Sequence, residues 1–445
     1  MIPAAPEVAT RLAALVRIRT VTPPPGPLDD AARATFSTFH AALRGFYPRV
    51  FGHEVEPMGR AGLLVRISGG DAPATVLMAH QDVVPAPERW EAEGWSHGPF
   101  EGVIADGWVH GRGTLDDKGA LTVMLEAVES LLGERWTPAG DLYLSLGADE
   151  ESYGDCALRA AHTLESRGVS PGLILDEGGA VAVGVFPGLE GEAAVIGVAE
   201  KGILEAVLTV AARGGHASTP PRESAPGILA RALVRIESHP HRSSLHPVNV
   251  ELLATVGTRI GGIRGSVLRH ARGLRWLFAR ILPRMGAELA AMTRTTAAIT
   301  QLTGGPAHNV LATSATATLN IRVAAGSTVA DAVAHLRRAI ADPRVRIDVE
   351  APSEPSPVSP RGDHPAWRSL TAAVAAAYPA ALVVPYVMLA ASDSRHLAHL
   401  GPTYRFAPLR MDTAQRMAIH GADERVEVEC LGRGVAFYRA LLSAQ

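Results

Sequence analysis

The chain has 445 residues, 47% of them hydrophobic and 20% charged, and at roughly 150 residues per domain it has room for two or three. Its 42 Lys and Arg against 45 Asp and Glu give a net charge of −3, which argues against a dedicated nucleic-acid binder, since such proteins carry a basic excess. Two cysteines, Cys156 and Cys430, rule out a disulfide scaffold and a thiolate zinc module, so metal ligands must come from imidazole and carboxylate.

The first twenty residues carry no basic stretch leading into an apolar one. Val8, Leu12, Leu15, Val16 and Ile18 instead cluster near helical spacing. No apolar run reaches the roughly 18 residues of a spanning helix. The expectation is a soluble, cytoplasmic chain that begins where its gene does and makes no membrane contact. Short apolar runs follow, TVLMAH (75–80), DLYLSLGADE (141–150) and GLILDEGG (172–179), each ending in polar or glycine-rich residues. Between the first two, KGALTVMLEAVESLL keeps helical spacing through Leu121, Met124, Leu125, Val128, Leu131 and Leu132. Strands alternating with helices predict an α/β layer with a mostly parallel sheet flanked by helices, whose ligands sit beyond the carboxyl ends of the strands.

From about residue 195 the pattern changes. VIGVAEKGILEAVLTVAARGG reads as paired strands and PGILARALVRIESH as a helix. In ATATLNIRV, Ala317, Leu319, Ile321 and Val323 share one face, and Thr316, Thr318, Asn320 and Arg322 the other. VADAVAHLRRAI reads as a helix, VRIDVE as a strand, and APSEPSPVSP (351–360) as a linker. The organisation predicted is a catalytic domain in two pieces, 1–199 and 351–445, with an inserted α+β domain over 200–350. One stretch inside it stands apart: from Arg259 to Arg284 there are seven arginines and no acid, with Val267, Leu274, Phe278 and Ile281 on one candidate helical face. It reads either as a helical insertion packed on its domain or a subunit interface, or as a basic amphipathic element for a membrane surface or a lipophilic substrate.

Chemistry-bearing residues concentrate in five stretches: His80-Gln81-Asp82, the glycine-rich turn Gly111 to Gly119 with Asp116-Asp117, Asp149-Glu150-Glu151, Asp176-Glu177, and His420 to Glu424. Each alone has an ordinary structural explanation, as a core histidine, a helix cap or a solvated turn. Together they supply two histidines and several carboxylates, mostly at strand ends, with a glutamate to spare. A co-catalytic metal site needs that inventory: two cations about 3.5–4 Å apart, a bridging carboxylate, one histidine and one acid for each, and an unligated carboxylate to take a proton from water. Gly94-Trp95-Ser96-His97-Gly98 fits the serine-hydrolase pattern GxSxG, but no apolar strand precedes it and no helix follows, so it reads as a loop. No phosphate loop, HExxH or dinucleotide GxGxxG is present.

HQDVVP, GRGTLDDKGA, DEES, LDEGG, GGHAST and HGADE occur in the order and spacing of the zinc-dependent aminoacylase/carboxypeptidase metallopeptidase family, which the chain resembles from about residue 8 to its end. HQDVVPAPERW, PFEGVIADGWVHGRGTLDDK and TRTTAAITQLTGG after the basic insertion carry a finer likeness to the carboxypeptidase S and N-fatty-acyl-amino-acid hydrolase branch. The resemblance implies two zinc ions, with cobalt or manganese as substitutes. His80 and Asp176 would hold one, Glu151 and His420 the other, and Asp116 would bridge them, across an Asp116–Asp117 peptide that is often cis in the family. Glu177 is the neighbouring alternative to Asp176. Glu150 would be the general base, Asp82 would orient His80, and His216 would stabilise the oxyanion, commonly in the neighbouring subunit's site. Asn309 and Arg322 would bind substrate, Arg322 as a carboxylate clamp. Ala391 stands where the family usually has glycine. The implied protein is a homodimer through the inserted lid. It would hydrolyse an amide beside a free carboxylate, in a short peptide or an N-acyl amino acid. The alternative is a catalytically silent binding protein on the same scaffold.

Overall fold

A computed structural model describes residues 4–152 and 154–444. Ten strands form one large sheet. Its middle is parallel, with Leu142–Gly147, Thr75–His80, Leu173–Asp176 and Thr403–Arg405 side by side. Every residue of these four strands is buried, because helices cover both faces, and so they read as continuous apolar runs rather than alternating ones. The flanks turn antiparallel, Gly62–Ile67 on one side and Glu192–Glu200 on the other, and Leu382–Met388 rejoins the latter in parallel.

On one face Ala5–Val16, Lys118–Gly133, Pro365–Ala377 and Val428–Ser443 bury Leu12, Leu121, Val374 and Leu431 against Leu77, Leu144 and Leu175. On the other, Cys156–Ser166 covers Val76, Met78, Tyr143 and Ile174. Lys118–Gly133 is buried almost all round, so its helical spacing marks a core helix rather than a surface stripe.

A second, four-stranded sheet runs Thr296–Gly304, Ser314–Val323, Gly202–Ala211, Val345–Ser353, antiparallel throughout. Ala317, Leu319, Ile321 and Val323 pack under Ala225–Ser238 and Val329–Ile340, while Thr316, Thr318, Asn320 and Arg322 stay half-exposed, as the alternation predicts. Thr328 and Asp331 start the second of these helices with reciprocal side-chain to backbone bonds.

Three local expectations change. Glu192–Glu200 and Gly202–Ala211 do not pair with each other: they belong to different sheets, with Lys201 alone between them. A continuous apolar pattern cannot mark that crossing. The final strand of the small sheet runs on to Ser353, three residues into the expected linker. The basic insertion is not one helix but two short ones, Gly262–Arg269 and Arg275–Ile281, so Val267, Leu274, Phe278 and Ile281 do not form a continuous face. Among the described residues no helix is long and apolar enough to cross a membrane.

Candidate metal centre

The parallel strands of the large sheet bring their carboxyl ends to one edge, and the expected ligands gather there. His80 and Asp176 are the last residues of Thr75–His80 and Leu173–Asp176, and Glu150 and Glu151 open the short turn Glu150–Ser152 after Leu142–Gly147. Asp116 closes the turn that feeds Lys118–Gly133, and His420 arrives on the loop after Thr413–Ala418. The Asp116–Asp117 peptide is cis.

Asp116 faces both ways. Its Oδ1 lies 2.9 Å from His80 Nε2, and its Oδ2 lies 3.1 Å from His420 Nε2, which is itself 3.1 Å from Glu151 Oε1. Donor atoms of His80, Asp116 and Glu151 all fall within 4.8 Å of one another. His80 Nδ1 donates to the Asp82 carbonyl at 3.0 Å, leaving Nε2 as the nitrogen able to accept a cation. The Asp82 carboxylate stands 3.5 Å from the same ring nitrogen and accepts the amides of Glu150 (3.3 Å) and Glu151 (3.2 Å). Asp82 therefore orients His80 mainly through its backbone and fixes the glutamate turn through its side chain. Among the described residues, no hydrogen-bond partner engages the Glu150 carboxylate.

Asp176 and Glu177 differ in what they have left to offer. Asp176 Oδ2 already accepts the Ser394 amide at 2.8 Å, while Asp176 also lines a small cavity with His80, Glu150 and Asp393. Glu177 feels Asp116 most strongly among its charged neighbours, then Asp176, Asp117 and Glu150.

Electrostatics single out this cluster. Burial, then the charge of Asp116, Asp176 and their acidic neighbours, pushes the Asp117, Glu150 and Glu177 carboxyls well above the usual range. Asp393 is raised to about 7, by burial first and then by Asp176. Asp116 is the exception: burial works against ionisation, yet hydrogen bonds from His420 and His80 hold its carboxyl below the ordinary value. His420 rises to about 10 through Asp116 and Glu151. Buried acids in this number, with two imidazoles aimed among them, have too little positive charge for their burial, which is the deficit a divalent cation fills. Oxygen and imidazole donors suit zinc, cobalt or manganese.

Several supporting residues have roles that the sequence did not assign, even where they lie in the stretches it singled out. Glu424, fully buried, accepts from Arg112 Nη1 (2.6 Å) and from the amides of Gly113 (3.0 Å), Leu115 (2.8 Å) and Asp116 (3.3 Å), so one carboxylate shapes the whole turn that presents Asp116. Gly111 sits in that turn at φ +145°, where a Cβ would meet Val16 and the Pro99 carbonyl. Lys118 Nζ donates to the carbonyls of Leu15 and Ile18 and ties the first helix to the site. Glu200, held by Arg405, accepts the Ser392 amide and with Asp176 fixes both sides of Asp393.

The lid residues lie apart. His216 is exposed, its Nδ1 bonded within its own turn to Ser218, and its strand pairs with Val310 beside Asn309. Arg322 sits on Ser314–Val323, with Nε on Asn320. Among the described residues neither His216 nor Asn309 bonds to the metal-centre side chains. Two other candidates have structural roles. Asp149, Asp155 and Cys156 cluster, but Asp149 spends its oxygens on the amides of 155 and 156. Ser96 lies in a loop, bonded to Asp423.

Comparison with known proteins gives a consistent picture. The model for peptidase family M20/M25/M40 matches residues 76–444. The chain is 33% identical over 423 residues to the N-fatty-acyl-amino acid synthase/hydrolase PM20D1 of Mus musculus, covering 92% of this chain and 82% of that one. It is also 33% identical over 447 residues to a probable carboxypeptidase S-like 2 of Dictyostelium discoideum, covering 98% and 84%. An M20 family metallo-carboxypeptidase from Sulfolobus solfataricus shares the fold, with a TM-score of 0.72 at 14% identity over 98% of each chain. Human carnosine dipeptidase 1 does so at 0.68 and 15%, over 99% of this chain and 96% of that one.

Proposed function

The chain belongs to peptidase family M20/M25/M40, a metal-dependent hydrolase, and from that membership we propose that it cleaves the amide of an N-acyl amino acid or short peptide next to a free carboxylate. The observation that carries this is Asp116, with one oxygen on His80 and the other at His420 and Glu151, the disposition of a carboxylate between two cations. We assign His80 with Asp176 to one ion and Glu151 with His420 to the other, Asp116 serving both. Glu177 is the substitute should the bond from Ser394 keep Asp176 from turning.

Two zinc ions bound there would polarise the scissile carbonyl and acidify a water. The chain's own residues do the rest. Glu150, its carboxylate uncommitted and its proton affinity raised by burial, takes a proton from the attacking water and returns it to the leaving nitrogen. Water oxygen and acyl carbon form the new bond, the C–N bond breaks, and acid and amine leave. Asp82 holds His80 and the glutamate turn in place for this. His216 donates to the oxyanion from the lid of a second subunit, which accounts for its exposed position here. Arg322 clamps the substrate carboxylate and sets the requirement for it, and Asn309 contacts the substrate.

Both substrate classes enter the test, since the relative from Mus musculus carries N-fatty-acyl-amino acids in its name and the carboxypeptidase S-like relative is equally identical, at 33%. The test is amino-acid release from a panel of N-acyl amino acids and dipeptides, each beside its C-terminally amidated twin, in zinc-containing buffer. Cleavage confined to free acids, and abolished by a chelator, is expected. Equal cleavage of the amidated twins would remove the carboxylate clamp, and activity that survives chelation would remove the metal mechanism.

A further inference from the structure

We propose that the arginine-rich insertion is a peripheral docking face for an anionic lipid surface. All seven arginines between Arg259 and Arg284 are exposed, and among the described residues none of them meets a carboxylate. Arg231 and Arg344 on the same domain, by contrast, both pair with Glu223. Large apolar side chains stand out between the arginines: Ile263 is 84% exposed, Trp276 67% and Met285 65%. Trp276 also borders an open groove of about 660 Å³ with Arg242, Arg280, Arg284 and Arg294 on its walls. Arginines gathered with tryptophan around that groove match the interfacial layer of a bilayer, where guanidinium groups meet phosphate and apolar tips enter the acyl boundary.

The face is a fixed platform rather than a loose tail. Leu252, Val256 and Ile260 anchor its approach helix on Ala193 and Val384 of the large sheet. Lys201 Nζ donates to the carbonyls of Ala291 (3.1 Å) and Arg294 (2.9 Å), and Asn249 Nδ2 to that of Met292 (2.8 Å). Glu288 pairs with Arg416 at 3.2 Å, on the helix whose chain leads into His420. The docking face therefore borders the segment that delivers a metal-centre residue.

Charge complementarity selects the occupant. A second copy meeting this face two-fold would set the arginines against themselves. Nucleic acid would use stacking aromatics, whereas Ile263, Ile281 and Met285 interleave here, in a chain of net charge −3. The inference is independent of the hydrolase assignment, since binding needs no metal in the site.

The test is co-sedimentation of the full chain with vesicles of phosphatidylcholine alone and of phosphatidylcholine mixed with phosphatidylglycerol, across a sodium chloride series. Binding only to the mixed vesicles, weakening as salt rises, is expected. Replacing Arg275, Arg280 and Arg284 together by Glu should lower vesicle affinity by about a hundredfold, and Trp276→Ser by about fivefold, with unchanged melting temperature. No binding to anionic vesicles would overturn the proposal, as would binding indifferent to the charge reversal. So would a dimer that dissociates in the reversed variant, or duplex DNA bound more tightly than vesicles.

Discussion

The metal centre and the arginine face are both accumulations of like charge, and they differ in where that charge lies. At the centre, acids are buried, so each raises the proton affinity of the next and the set is incomplete without a cation. On the insertion, the arginines are exposed, so water and salt screen them and the fold tolerates them without a carboxylate partner among the described residues. Buried like charge demands a specific partner of high charge density. Exposed like charge merely favours a broad, oppositely charged surface. Substitutions at the centre should therefore change chemistry and metal affinity, and substitutions on the insertion should leave both alone.

The largest effect is expected at Glu150. Glu150→Gln keeps size and removes the base, so turnover should fall about a thousandfold while bound metal, measured by atomic absorption, stays at the unsubstituted level. Loss of metal in this variant would make Glu150 a ligand. His216→Ala should cost about a hundredfold in turnover with metal retained. If the proposed dimer places His216 in its partner's site, mixing His216→Ala with Glu150→Gln should then recover about a quarter of the original activity, since half the dimers would be mixed and each would carry one intact site. No recovery would place His216 in its own subunit's site. Glu424→Gln should weaken metal binding about tenfold to a hundredfold in a competition titration, because it loosens the turn that presents Asp116. Unchanged affinity would show the turn to be held by Gly111 and Arg112 alone.

Stripping the metal tests the buried half of the contrast directly. Asp117, Glu150, Glu177 and Asp393 have raised carboxyls in the fold and titrate near about 4 when unfolded. Their stabilising contribution is complete below that value and is lost as pH rises through the folded one. His420, raised to about 10, acts in the same direction: its contribution is full below its unfolded value and lost as pH climbs toward 10. Asp116 runs oppositely, but its window lies below the unfolded carboxyl value. The chelated protein should thus lose several degrees of melting temperature between about pH 5 and pH 8, and the zinc-loaded protein should lose far less. A flat profile after chelation would mean the chain neutralises its own acids.

Much of this centre was legible in the sequence because strand ends are marked by abrupt changes from apolar to polar residues. His80, Glu150-Glu151 and Asp176 all sit at such changes, and the parallel sheet aligns them. Glu424 was not legible in the same way. It lies in the noted HGADE stretch, but its work is done on amides more than 300 residues earlier, a pairing that only the fold creates. The crossing at Lys201 was hidden for a related reason, since two buried strands in different sheets present one unbroken apolar pattern. The lid residues were named by motif, yet a single chain does not bring them to the metal centre. The role proposed for His216 rests on a second subunit supplying it.

The exposed half of the contrast predicts the smallest effect. Reversing Arg264 or Arg272 to Glu singly should shift unfolding free energy by no more than about 0.5 kcal/mol, because each side chain is exposed and neither has a partner to lose among the described residues. The direction should be toward greater stability, since each reversal removes repulsion among neighbouring arginines, and the gain should shrink as salt is added. Denaturant unfolding at low and high salt measures both. A loss above about 1 kcal/mol would mean the arginine contacts something the fold relies on. The insertion would then owe its charge to packing, and the exposed half of the contrast would fail with it.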